Sequence, residues 1–86
     1  MTTPTPDHAA EYTRADNDVR SLTGAIASII SAITDLDDMA GSGDSLAFEA
    51  REDMLAGLRR CKALRERETA RRDAAELAQR GAEVAA

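Results

Sequence analysis

The sequence predicts an all-α protein, an antiparallel two-helix hairpin that homo-oligomerises into a helical bundle. Three observations support this prediction. An aliphatic stripe repeats at steps of three and four residues, a glycine-rich turn interrupts the helical pattern once, and a second wide apolar stripe follows that turn. A helix must bury its apolar stripe against another element, so the two stripes are expected to face each other and further copies of the chain.

The first helix is predicted over residues 6–40, after a flexible N-terminus of residues 1–5. Thr5 can cap this helix, and Pro6 can take its first position because the N–H that proline lacks is not needed there. The apolar residues follow the heptad spacing of positions that pack against another helix, and we call these positions the seam. The predicted seam consists of Val19, Leu22, Ile26, Ile29, Ile33 and Leu36, with Ile30 beside it.

The segment Gly41-Ser42-Gly43 predicts a turn over residues 41–44, because glycine can adopt the left-handed conformation that ends many helices. Asp44 or Ser45 is expected to cap a second helix over 45–81, with 82–86 frayed. The predicted seam of this helix consists of Ala47, Ala50, Met54, Gly57, Cys61 and Leu64. The residues that flank it, and are expected to face a second partner, are Phe48, Leu55 and Leu58.

A chain of 86 residues is short for an independent core. Small domains are usually reinforced by disulfides, by a metal or by partner subunits. This chain has one Cys and one His, so an internal disulfide cannot form and a zinc site lacks the usual ligands. We therefore predict a homo-oligomer that contains no cofactor and no metal.

Charge is distributed unevenly along this chain, whose net charge is −5. Up to Met54 eleven acidic residues accompany three arginines, whereas from Arg59 to Arg72 seven basic residues accompany two glutamates. Folding about the turn is expected to place residues 65–72 opposite the acidic start of the first helix, residues 7–18. The basic segment is interpreted as pairing with those carboxylates or with a neighbouring subunit, and an anion site is the alternative.

Composition disfavours several classes of function. Phe48 and Tyr12 are the only aromatic residues, which argues against the base-stacking surfaces of single-stranded nucleic-acid binders. Neither a signal peptide nor an apolar run of membrane-spanning length is apparent, so a cytoplasmic protein is expected, and the single Cys61 agrees with a reducing compartment. His8, Cys61 and the aspartates around the turn are interpreted as structural or solvated groups, and no enzyme activity is predicted.

Two short patterns carry a family resemblance. The first helix contains Asn17-Asp18-Val19-Arg20-Ser21-Leu22, followed by Ile26, Ile29, Ile30 and Ile33, and the second contains Ala50-Arg51, Met54 and Gly57. Over roughly residues 17–64 the chain resembles the anti-CBASS sponges of phages, small helical hairpins that sequester cyclic oligonucleotide immune signals.

The resemblance implies a homo-oligomer that holds cyclic di- or trinucleotides at subunit interfaces without hydrolysing them, in the host cytoplasm if the chain is phage-encoded. It implies Arg20 as the main phosphate ligand. Arg51 and Tyr12 are implied as lesser ligands, and Asn17 completes the candidate ligand-binding set.

Two other functions compete with the sponge. One is a protein-binding inhibitor or adaptor, anti-CRISPR-like or antitoxin-like, in which an acidic face covers a basic protein partner. The other is a structural bundle protein. A sponge needs arginines that converge inward, whereas an inhibitor needs an outward acidic face made of Asp35, Asp37, Asp38, Glu49, Glu52 and Asp53.

Overall fold

The computed structural model describes residues 7–85, and over these residues the chain consists of two helices and no strand. Helix α1 spans His8–Gly41 and helix α2 spans Ser45–Ala85. The predicted all-α helical hairpin is therefore confirmed, and its association with further copies remains a prediction. The predicted flexible N-terminus 1–5 and the proposed cap Thr5-Pro6 lie outside the described residues.

Aspartates begin both helices. Asp7 precedes α1, and its Oδ1 accepts a hydrogen bond from the backbone N–H of Ala10 at 3.0 Å. Asp44 precedes α2, and its Oδ1 accepts from the backbone N–H groups of Leu46 and Ala47 at 3.0 and 3.1 Å. These carboxylates satisfy N–H groups that lack partners in a first helical turn. Within the described residues α1 begins at His8, with Asp7 in the capping role.

The turn between the helices is tight. The Ser42 N–H donates to the Asp38 carbonyl at 3.1 Å, and Gly43 follows with φ of +94°, a left-handed conformation that favours glycine. At its other end α2 continues to Ala85, four residues beyond the predicted end at Gly81. With 41 residues against 34, α2 is the longer helix.

Two ion pairs between the helices define their register. Arg72 Nη1 lies 3.2 Å from Asp16 Oδ1, and Arg51 Nε donates to Asp37 Oδ1. Residues 51 and 72 are 21 positions apart, and so are 16 and 37, which is three heptads on each helix. The helices are therefore antiparallel and in constant register from the turn to the open end.

The packed face of α2 is shifted from the predicted one. Ala47, Glu68 and Ala75 are buried and lie at multiples of seven residues from one another, a series that also includes Met54 and Cys61. The alternate seam positions are Arg51, Leu58, Arg65, Arg72 and Gln79. Leu64, predicted on the seam, is 36% exposed at its edge, whereas Leu58, predicted to flank the seam, lies on it.

The single hairpin buries little. Its buried apolar residues are Ala15, Ile26, Ile33, Ala47 and Ala75. Its extents are 64 × 25 × 13 Å, and the shortest is close to the diameter of one helix with its side chains, about 10–12 Å. The chain thus forms one layer of helices, whereas a stable domain packs at least two.

Helix α1 is long and apolar enough to cross a membrane by length and composition. It contains an 18-residue window with mean hydropathy 1.3, of which 11% is buried. This finding corrects the prediction that no stretch approaches membrane-spanning length. The core helix of a water-soluble protein passes the same test, so the cytoplasmic location stays a prediction.

Candidate functional site

Two open grooves border the seam on opposite edges of the hairpin. The turn-end groove has a volume of about 460 Å³ and is lined by Asp37, Ala40, Gly41, Phe48 and Arg51. The central groove has a volume of about 320 Å³ and is lined by Asp18, Ser21, Leu22, Leu64, Arg67 and Glu68. Each groove combines apolar lining residues with charged ones.

Phe48 dominates the turn-end groove. The cap at Asp44 sets the first turn of α2, and the Phe48 N–H donates to the Asp44 carbonyl at 3.0 Å, so this aromatic residue stands directly after the turn. Its side chain remains 53% exposed. Arg51 closes the groove by donating to Asp37 and lying 3.4 Å from Glu52 Oε1. An aromatic side chain held open beside fixed charges is suited to contact a protein surface.

Exposed carboxylates surround the turn-end groove. All six acidic residues predicted to form an outward acidic face are exposed, namely Asp35, Asp37, Asp38, Glu49, Glu52 and Asp53. Arg51 is the one basic residue between Ser21 and Leu58, and it is held by Asp37 and Glu52. This end of the hairpin therefore presents a strong negative potential.

Glu68 is the unusual residue of the central groove. It is 3% exposed, and its Oε1 accepts hydrogen bonds from Arg67 Nε and Nη2 at 3.1 and 3.0 Å. Arg71 Nη1 lies 3.3 Å from the same oxygen. The second oxygen, Oε2, is buried and has no hydrogen-bond partner among residues 7–85. A buried polar atom without a partner is costly, so Glu68 weakens this part of the seam.

The four residues implied as nucleotide ligands do not form one cluster within the chain. Arg20 is 78% exposed, and its Nε lies 3.1 Å from Asp16 Oδ2. Tyr12 is half-buried and Asn17 is exposed, and both lie on α1 within eight residues of Arg20, about 12 Å along the helix at 1.5 Å per residue. Arg51 lies beside Asp37 at the turn end, about 31 Å along α1 from Asp16 at 1.5 Å per residue.

The basic segment of α2 is divided between paired and unpaired cations. Arg72 donates to Asp16, as expected from the charge pattern, and this hydrogen bond raises the pKa of the Arg72 guanidinium above its usual range. Among residues 7–85, four cations of this segment are within ion-pair distance of no carboxylate: Arg59, Arg60, Lys62 and Arg65. Arg65 lies on the seam one heptad before Arg72, and the other three cations lie at exposed positions.

The other candidate residues occupy separate places. His8 is half-buried at the start of α1, and Cys61 is a half-buried free thiol on the seam of α2. Asp44 serves as a helix cap. Within the described part of the chain, no group of three or more His, Cys, Asp or Glu side chains is placed to hold a metal ion.

Sequence reasoning missed both Glu68 and the turn-end groove. Glu68 lies one heptad after Cys61, so extending the predicted series of Ala47, Met54 and Cys61 would have placed it on the seam. The predicted seam ended at Leu64, and the thin apolar stripe predicted beyond it consists of Ala70, Ala74, Leu77, Gly81 and Val84. No family model, curated protein or solved structure matches the chain.

Proposed function

We propose that this protein is a non-enzymatic protein-binding adaptor or inhibitor that engages a basic partner protein through its turn end. The observation that carries the proposal is the exposed Phe48 beside the turn-end groove, surrounded by exposed carboxylates. Protein interfaces typically have an aromatic or apolar centre and a polar rim.

The charges of this surface support a basic partner. From Ser21 to Leu58 the chain has seven carboxylates and one cation. Complementary charge accelerates encounter between proteins and disfavours partners of the wrong sign. The single cation, Arg51, is neutralised by Asp37 and Glu52, so it does not offset the field of the remaining acids.

The apolar centre supports a protein partner in preference to a small cation. Phe48 is joined on the same side of α2 by the half-buried Leu55, one heptad later. Together they form an apolar strip along the edge of the hairpin. Burial of such a strip contributes roughly 25 cal/mol per Å² of apolar surface, a gain that a simple cation could not provide.

Sequestration of cyclic oligonucleotides is kept as a second proposal. It is favoured by the unpaired cations Arg59, Arg60, Lys62 and Arg65, since guanidinium groups suit phosphate oxygens. Its geometric support is weaker because Arg20 is held by Asp16 at the surface and Arg51 belongs to the opposite end of the chain. A convergent phosphate site would have to form between copies.

A binding experiment distinguishes the two proposals. The probe is a synthetic amphipathic helical peptide of lysine and leucine, with a glutamate and leucine peptide as its negative control. We expect Phe48→Ala to weaken binding of the lysine peptide at least about tenfold, the usual loss when an aromatic anchor is truncated. The matched control is Leu77→Ala, which removes another exposed apolar side chain far from the acidic surface, and it should change affinity less than about twofold.

Either of two results would contradict the adaptor proposal. If both peptides bind equally, or if Phe48→Ala has no effect, the adaptor proposal fails. Calorimetry with a panel of cyclic di- and trinucleotides is run on the same preparation. If one of these ligands binds the wild-type chain with measurable heat and Arg20→Ala abolishes that heat, the sponge proposal replaces the adaptor proposal.

A further inference from the structure

The hairpin exposes more surface than a folded chain of its mass normally does. Its accessible surface is 6346 Å², whereas a compact monomer of 9.2 kDa has about 4,900 Å² by the usual scaling of surface with mass. The excess of about 1,400 Å² is larger than the roughly 800 Å² that each partner contributes to a standard dimer interface. A second layer of helices would remove this excess.

One line of α2 residues has the pattern of a self-complementary contact. Leu46, Asp53, Arg60 and Arg67 are spaced by seven residues and all are exposed. Asp53 and Arg60 have no ion pair among the described residues. When two α2 helices run antiparallel with the midpoint near Gly57, Asp53 of one chain faces Arg60 of the other, and the reverse holds by symmetry.

The same alignment brings an exposed leucine to the central groove. Leu46 is 76% exposed in the first turn of α2. In the antiparallel alignment it falls opposite Arg67 and Glu68 of the other chain, which line the central groove together with Leu22 and Leu64. Leu22 and Leu64 are the apolar lining residues of this groove that the partner's Leu46 can contact beside Arg67 and Glu68.

The midpoint of this contact has room for a second helix. Gly57 lies there, one heptad from both Ala50 and Leu64. A Cβ added at Gly57 would meet no atom within 4 Å, so nothing inside the chain occupies the space above it. Two small residues, Ala50 and Gly57, allow the backbones of the two α2 helices to approach closely.

We propose that a second copy of the chain packs antiparallel along α2, with Leu46 of each copy in the central groove of the other and Asp53 paired with Arg60 across the interface. A parallel arrangement would place Asp53 against Asp53 and Arg60 against Arg60, which repels. The contact lies on the edge opposite Phe48 and uses one of the six exposed acidic residues of the turn end, Asp53. It leaves the lining of the turn-end groove and the other five acidic residues free for the proposed partner protein.

The first test measures the dimer dissociation constant by analytical ultracentrifugation of the full chain. Leu46→Gln should weaken the dimer at least tenfold, because the apolar side chain is lost from the groove while helix formation is retained. Leu77→Gln makes the same change at another exposed leucine of α2 and should leave the dissociation constant within twofold. Equal effects of the two substitutions would overturn the proposed contact.

The second test checks the orientation by reversing charges. Asp53→Arg and Arg60→Asp should each weaken the dimer, and the double variant should restore it to within threefold of the wild type. A double variant as weak as either single one would overturn the antiparallel arrangement.

Other occupants of this face give different results. Wild-type chain that stays monomeric and cosediments with phosphatidylcholine vesicles would overturn the proposal in favour of a lipid surface. Failure of the dimer is distinguishable from failure of the adaptor function, because Leu46→Gln should still bind the lysine peptide with unchanged affinity.

Discussion

The two halves of the hairpin share one heptad register but differ in what occupies it. In the turn-end half, residues 22–64, the α1 seam of Ile26, Ile29 and Ile33 faces Cys61, Leu58 and Met54. In the open-end half, residues 7–21 and 65–85, the α2 seam contains charged or polar residues at four of five positions. These are Arg65, Glu68, Arg72 and Gln79.

The two halves therefore contribute differently to the hairpin: one supplies hydrophobic burial and the other fixes the register of the helices. The apolar half supplies most of the hydrophobic burial, and it also leaves apolar side chains uncovered, among them Ile30, Met39 and Phe48. The polar half buries less but contains the pair between Arg72 and Asp16. Charged residues in a seam fix register at some cost in stability, because a shifted alignment would leave charges unpaired.

The largest expected effect follows from a charge in the apolar half. Ile26→Asp places a carboxylate at a buried seam position without a partner, which should cost several kcal/mol and unfold much of the protein at room temperature. Thermal unfolding followed by circular dichroism measures the loss. The matched control is Ala27→Asp, the same charge on the next, exposed residue, which should cost less than about 1 kcal/mol.

Equal losses from the two substitutions would show that the apolar half is not held by the face that includes Ile26. The two halves would then not differ in this respect, because neither would contain a seam stabilised by buried apolar side chains.

A smaller effect, of opposite sign, is expected in the polar half. Glu68→Leu removes the buried oxygen that has no partner and adds apolar surface to the seam, so it should stabilise the chain by about 1–3 kcal/mol. The arginines that contact Glu68 are more than half exposed and remain solvated after its loss. Urea denaturation gives the change in the free energy of unfolding.

Glu66→Leu serves as the control for Glu68→Leu because Glu66 is exposed on the same helix, and its effect should lie within about 0.5 kcal/mol. If Glu68→Leu destabilises the chain, Glu68 makes a favourable interaction that the described residues do not account for, and the polar half is held by more than its ion pairs.

The hairpin could be predicted from sequence because its signals are local. The spacing from Val19 to Leu36, the glycines of the turn and the cap at Asp44 each act within a few residues. The pairing of Arg72 with Asp16 was also predictable, since an antiparallel fold brings the basic segment to the acidic start of α1.

It was harder to predict which face of α2 packs against α1 and which charged side chains are paired. Apolar residues cover both the seam and its edges in the turn-end half, so Leu58 and Leu64 were indistinguishable by hydrophobicity alone. Arg20 lies next to the seam in sequence, yet its guanidinium turns to Asp16 on the same helix. Side-chain pairing of this kind depends on rotamers, which residue spacing does not specify.

The mass of the wild-type chain in solution tests most directly the claim that a second copy of the chain packs along α2. Light scattering measures mass independently of shape, which matters for a molecule 64 Å long and 13 Å thick. We predict about 18 kDa at micromolar concentration, twice the 9.2 kDa of one chain. A mass of one chain, together with cooperative unfolding, would contradict the account, because the hairpin would then be stable with its apolar surface uncovered.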